Sequence, residues 1–276
     1  MPTALQSRSY SPNPTEIPHL VFDSIRKQYS DGAIALEGVT ATINRGEFCV
    51  ILGQSGSGKS TLLRAINGLT DLSSGELIFD NKTLNPSSLR SIRRRVAMVH
   101  QHFNLVERAS VATNVLIGAV AEVSFWRAML GWYPAHLRKR ACQVIARVGL
   151  DEVHSKRRAS ALSGGQQQRV GIARALLLNP EIILADEPVA SLDPAISREI
   201  LSLIRTAAQE QNATVLCSLH QIDLAREYAD RIIGLRKGRI VFDGPAANFD
   251  AEAEAALYSK NHPPISTNET ANPEHV

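Results

Sequence analysis

Apolar positions fall in two spacings along this chain, and the switch between them outlines the architecture. Near the start they come in short runs or at every second residue: 19–24, 36–43, 48–52 and 76–80 read as strands, with a helix at 60–66. From about Phe103 to Ala159 the spacing is helical, clearest over 135–148, where Leu137, Val144, Ile145 and Val148 share a face and basic residues stand between them. From Gln166 onward helix and strand alternate: helix 166–178, strand 182–185, helix 194–209, strand 214–219, helix 222–229, strand 231–235. Such alternation predicts a largely parallel sheet covered by helices, here an α/β domain with a β-rich opening and an inserted helical part.

The ends differ from this body. Residues 1–17 and 261–276, rich in Ser, Pro, Thr and Asn, are expected to be flexible tails, leaving 18–260 as the folded domain with a helical subdomain at about 103–165. Charged residues at 21% and apolar residues at 44% are ordinary for a globular chain, and a formal charge of +3 selects no partner. The best apolar stretch, 111–125, is short and broken by Asn114 and Glu122, so no segment is expected to span a membrane. The first ten residues lack the apolar region of a secretory signal, which predicts a cytoplasmic location. Cys49, Cys142 and Cys217 have no metal-ligand spacing and are expected as buried thiols.

Three motifs add chemistry to this outline. Gly53-Gln54-Ser55-Gly56-Ser57-Gly58-Lys59-Ser60 stands between an apolar strand and a helix that continues through Thr61. Its glycines let backbone N–H groups turn inward onto phosphates, Lys59 can reach the β- and γ-phosphates, and Ser60 can ligand Mg²⁺. A second apolar strand delivers Asp186 and Glu187 at its C-terminal end, and Pro188 helps to stop it. Asp186 suits a hydrated Mg²⁺, and Glu187 suits taking a proton from a water or orienting it. Third, Leu162-Ser163-Gly164-Gly165-Gln166 opens a helix, so that Ser163 and the N–H groups of Gly164 and Gly165 form another anion-binding device.

With this third motif the chain resembles the ATP-binding cassette family, over roughly 18–244. The resemblance implies an α/β P-loop NTPase fold, an ABC ATPase core with an antiparallel β subdomain and an inserted helical subdomain, using ATP and Mg²⁺. It implies roles for smaller motifs as well. Tyr29 matches the aromatic that stacks on adenine, and Gln101 the glutamine that touches metal and water. Asp193 sits in the loop that crosses between subunits, and His220 matches the switch histidine at the γ-phosphate. Each signature loop would then face the phosphate loop of another copy, making the working unit a head-to-tail homodimer.

Leu162 follows Gln101 by only 61 positions, too few for the coiled coils of DNA-repair relatives, and a single cassette is present rather than the two of translation factors. No nucleic-acid partner is expected. A transporter subunit is left; a single cassette without fused membrane spans resembles a bacterial importer subunit, which implies a peripheral place at the cytoplasmic face of the inner membrane, separate integral permease subunits and, through them, a periplasmic solute-binding protein. The segments at 113–118, 188–194 and 219–236, together with Trp126, Leu130-Gly131, Tyr133-Pro134 and the unbroken Gln166-Gln167-Gln168, resemble phosphonate importer ATPases in particular. Importers of phosphite, phosphate or small amino acids, and an ABC ATPase that clamps an enzyme complex, are the alternatives. Phe103, Trp126, Trp132 and Tyr133 read either as a groove receiving a permease helix or as the core of the helical lobe. Within 124–160 eight basic residues face two acidic ones, a solvated helix face or a surface near anionic lipid.

Overall fold

The computed structural model describes residues 18–258; both expected tails lie outside the described residues. The opening strands β1 (Pro18–Gln28) and β2 (Ile34–Asn44) are followed by β3 (Phe48–Leu52), α1 (Lys59–Ile66), β4 (Ser74–Phe79), β5 (Lys82–Thr83), α2 (Leu89–Ile92) and β6 (Val96–Val99). Next come the short helices α3 (Val111–Leu116) and α4 (Phe125–Met129), the longer α5 (Ala135–Arg147), then α6 (Glu152–Ser155) and α7 (Gly164–Leu176). The chain closes with β7 (Ile182–Asp186), α8 (Pro194–Gln211), β8 (Thr214–Leu219), α9 (Ile222–Tyr228), β9 (Arg231–Arg236), β10 (Arg239–Pro245) and α10 (Ala251–Tyr258).

These strands form two sheets, one antiparallel in the order β2-β1-β4-β5 and one of six strands in the order β10-β9-β3-β8-β7-β6. In the larger sheet only β10 runs antiparallel to its neighbour. β3, β7 and β8 are buried along their whole length, which is why they are predominantly apolar rather than alternating. Successive side chains point to opposite faces of that sheet. Cys49 and Ile51 pack with the antiparallel sheet and α1 through Leu20, Phe22, Leu62 and Leu63, whereas Val50 and Leu52 pack with α8 and the helical lobe through Ile200, Ile204, Val115 and Val144.

Local sequence sets the helix boundaries. Asp193 caps α8 by accepting from the N–H groups of Ala195 and Ile196, Pro194 stands in the first turn, and Asn212 ends the helix in the left-handed region. Asp151 and Ser110 cap α6 and α3 in the same way. α5 buries Leu137, Ala141, Val144 and Ile145. Its opposite face carries Cys142, which is exposed, so the expectation of three buried thiols holds only for Cys49 and Cys217. Arg95 ties the sheets together, donating to Glu181 just before β7 at 2.6 and 2.7 Å and to Asp80 just after β4 at 2.7 Å.

Parallel pairing brings the motifs to one edge. Leu52 lies opposite Leu219, Asp186 opposite Ser218 and Val99 opposite Ala185, so the phosphate loop, the paired acids, His220 and Gln101 all follow the C-terminal ends of adjacent strands.

Candidate nucleotide site

The loop leaving β3 requires glycine at particular positions. A Cβ on Gly53 would stand 2.2 Å from the carbonyl oxygen of Leu235, and one on Gly58, whose φ is 109°, 2.3 Å from that of Ala35. Lys59 is buried, and its ammonium donates to the carbonyls of Gly53 at 2.9 Å and Gln54 at 3.1 Å. Burial lowers its pKa, while the Glu187 and Asp186 carboxylates oppose that shift. A buried cation held by carbonyls within a glycine cradle is prepared for an anion.

Glu187 faces the same point. Its Oε1 lies 2.6 Å from Nε2 of His220 and 3.7 Å from Nζ of Lys59, and Nδ1 of His220 is 3.1 Å from the carbonyl of Gly53. Its backbone has φ of 48°, a conformation uncommon for a residue with a side chain. Asp186, buried at the end of β7, accepts from Ser60 Oγ at 2.8 Å and Ser218 Oγ at 3.0 Å. The two carboxylates adjacent in sequence therefore do different things: Asp186 turns to the serine of the loop, Glu187 to the lysine and histidine. Ser218 joins them, because its Oγ also accepts from the Glu187 N–H at 2.9 Å.

Tyr29 is exposed, and its hydroxyl lies 3.3 Å from Thr61 Oγ1 at the start of α1, which places an aromatic ring beside the phosphate loop. Gln101 is exposed two residues beyond β6 at the same sheet edge, and among the described residues no hydrogen bond ties its side chain down. Ser163 caps α7 in a reciprocal pair with Gln166: Gln166 N–H donates to Ser163 Oγ at 3.4 Å and Ser163 N–H to Gln166 Oε1 at 3.0 Å. Gly164 is open to solvent, whereas a Cβ on Gly165 would meet Ile196 at 2.9 Å. Among the described residues no hydrogen bond or ion pair joins 163–166 to the phosphate loop of the same chain. Asp193 uses its carboxylate on the α8 cap.

Two site residues escape sequence reasoning. Ser218 carries a signal, since it pairs with Asp186 and lies two before His220, but only strand register reveals it. Tyr258 ends α10, accepts from Gln54 Nε2 at 3.2 Å through its carbonyl, and donates its hydroxyl to the His220 carbonyl at 3.4 Å. Nothing near it in sequence marks it.

The ABC transporter family model matches residues 36–190, from the second strand through the paired acids. The chain belongs to the ABC transporter family. Relatives called phosphonates import ATP-binding protein PhnC include one from Hydrogenovibrio crunogenus, 51% identical over 243 residues that cover 88% of the cassette and 89% of that protein. Another, from Hyphomonas neptunium, is 52% identical over 231 residues, covering 83% and 88%. Among solved structures, CbiO1 of Clostridium perfringens, part of the CbiONQ transporter complex, superposes with a TM-score of 0.74 at 32% identity, covering 88% of the cassette and 96% of that chain. A dimeric post-hydrolysis cassette bound to ADP and Pi superposes with a TM-score of 0.71 at 35% identity, covering 82% and 98%. The α/β P-loop fold of an ABC ATPase is thus that of this chain.

Proposed function

We propose that this cassette is the ATP-hydrolysing subunit of a bacterial ABC importer of phosphonates. The observation that carries the ATPase half is the convergence of Lys59 and His220 on one oxygen of Glu187, beside a loop whose glycines admit phosphate. The names of relatives about half identical along most of the chain support the solute. ATP is the substrate. Backbone N–H groups of 53–60 cradle its phosphates, Lys59 supplies positive charge to them, and Tyr29 offers a face to the base. Glu187 accepts a proton from the water whose oxygen bonds to the γ-phosphorus as the bond to ADP breaks, and His220 orients that carboxylate and meets the γ-phosphate.

The hard oxygens of Ser60 and Asp186, 2.8 Å apart, fit Mg²⁺. Among the described residues no group of three or more His, Cys, Asp or Glu could hold a metal alone, which suits an ion completed by substrate phosphates and water. Gln101 is free to reach it. When bound, Mg²⁺ supplies charge that offsets the negative charge of the β- and γ-phosphates.

The unengaged signature helix supports a head-to-tail dimer in which Ser163, Gly164 and Gly165 of one copy close on the phosphates held by the other. Closure on ATP and opening after hydrolysis then drive separate membrane permease subunits, to which a periplasmic binding protein delivers solute. No helix among the described residues is long and apolar enough to cross a membrane, consistent with a peripheral subunit at the cytoplasmic face. Uptake of a labelled aminoalkylphosphonate should be lost in cells carrying Lys59→Ala and should resist excess phosphate or phosphite; uptake that ignores Lys59 would overturn the reading.

A further inference from the structure

Residues 124–132 keep their apolar side chains outside the protein. Phe125 is 72% exposed, Trp126 67%, Met129 61%, Leu130 58% and Trp132 70%, and α4 has no buried residue at all. The buried core of the helical lobe, to which Val111, Val115 and Ala119 contribute before this segment, resumes only at Tyr133. Phe125 and Trp126 pack edge to face on each other, their centroids 5.5 Å apart. Five large apolar side chains within eight residues make a patch of the kind that marks an interaction surface.

Charge narrows the choice of partner. Between Glu122 and Asp151 there is no acidic residue, whereas Arg127, Arg138, Lys139, Arg140 and Arg147 are basic. Arg147 is taken up by Glu210. Arg127, Arg138 and Lys139 are exposed, and no carboxylate pairs with them among the described residues. Arg127 lies on α4 itself, and Arg138 stands three residues into α5, about 5 Å from its start. Trp, Phe and Leu flanked by unpaired Arg and Lys match the chemistry of the boundary between lipid headgroups and acyl chains, where indole rings settle and cations meet phosphates. A five-residue helix with no buried face provides a wedge rather than a walled groove for a peptide.

We propose that residues 124–139 bind an anionic phospholipid surface, with Phe125, Trp126, Met129, Leu130 and Trp132 entering the interface and Arg127, Arg138 and Lys139 engaging the headgroups. The surface would act whatever solute is carried, so the proposal stands or falls apart from the phosphonate reading.

Both tryptophans of the chain, Trp126 and Trp132, lie in the patch, so intrinsic fluorescence of the full-length protein reports on it without a label. Vesicles of phosphatidylcholine with phosphatidylglycerol should shift the emission to the blue and carry the protein down on sedimentation; phosphatidylcholine alone should do so weakly. Arg127→Gln, Arg138→Gln and Lys139→Gln together should lower partitioning by about fivefold per lost cation. Phe125→Ser with Trp132→Ser should abolish it, with the remaining Trp126 emission unshifted and ATP hydrolysis in solution unchanged. Unshifted wild-type emission on anionic vesicles would overturn the proposal, as would sedimentation that survives both variants. A blue shift produced only by detergent-solubilised permease would assign the patch to a protein partner instead.

Discussion

Ser218→Ala isolates the link between the two acids. The Ser218 side chain is wholly buried and makes two contacts, donating to Asp186 at 3.0 Å and accepting from the Glu187 N–H at 2.9 Å. Truncation leaves that N–H without a partner, a loss of about 1–3 kcal/mol for a buried group. It also removes a hydrogen bond to a carboxylate, worth about 1.5–3 kcal/mol, although Asp186 keeps the Ser60 donor. Allowing for the hydroxyl that no longer has to be desolvated, a net loss of about 2–3 kcal/mol is expected, or about 4–10 °C in Tm for a domain of this size. The lost bond also anchors Glu187, whose φ of 48° is sustained by its surroundings. Turnover should therefore fall about tenfold or more, with the KM for ATP changed less because the phosphate loop is untouched. Cys217→Ala, at the neighbouring and equally buried position of β8, controls for packing: it should lower Tm modestly and leave turnover alone. Calorimetry and steady-state hydrolysis on the three proteins decide the matter. A Ser218→Ala protein with wild-type Tm and turnover would refute the assignment.

Gly58→Ala should abolish ATP binding measured by calorimetry and lower stability, since a Cβ at φ 109° meets the Ala35 carbonyl at 2.3 Å. His19 is buried with a 2.6 Å contact to Thr214, and burial is the main cause lowering its pKa from 6.5 to about 4, assisted by Arg45. It is neutral in the fold and protonates more readily when unfolded, so stability should decline as pH falls from about 6.5 to about 4, by at most about 3 kcal/mol. Urea titrations across that window should show a shallower decline in His19→Gln; an identical slope would exclude His19 as the cause.

The placement of the candidate site was legible wherever a motif follows the end of an apolar strand. The glycines of the phosphate loop, Lys59, Ser60, Asp186, Glu187 and His220 converge because each follows the end of a parallel strand, and apolar runs bounded by polar turns show those strand ends in sequence. Legibility ended where contacts depend on register or on distant segments. β1 continues past Ser24, at φ 48° beside a register shift, to Gln28, where Arg26, Lys27 and Gln28 break the apolar alternation that marks a strand in sequence. β10 was not foreseen, since its partly buried positions give no clean alternation, and neither was α10, whose Ala and Glu residues define no apolar face. Yet α10 carries Tyr258 to the candidate nucleotide site, against the His220 carbonyl. Trp126, Trp132 and Tyr133 looked equivalent in sequence; only packing separates the buried tyrosine from the exposed tryptophans.

The central claim is that Glu187 takes the proton in a site completed by a second copy of the chain. Sedimentation velocity of Glu187→Gln with ATP and Mg²⁺ tests both parts, because a carboxamide keeps the shape of the side chain while losing its basicity. The account predicts a stable dimer that holds unhydrolysed ATP and that does not form when Ser163 is also replaced by Arg. A monomer under these conditions would contradict the shared site, and a dimer that hydrolyses ATP at the wild-type rate would contradict the role of Glu187.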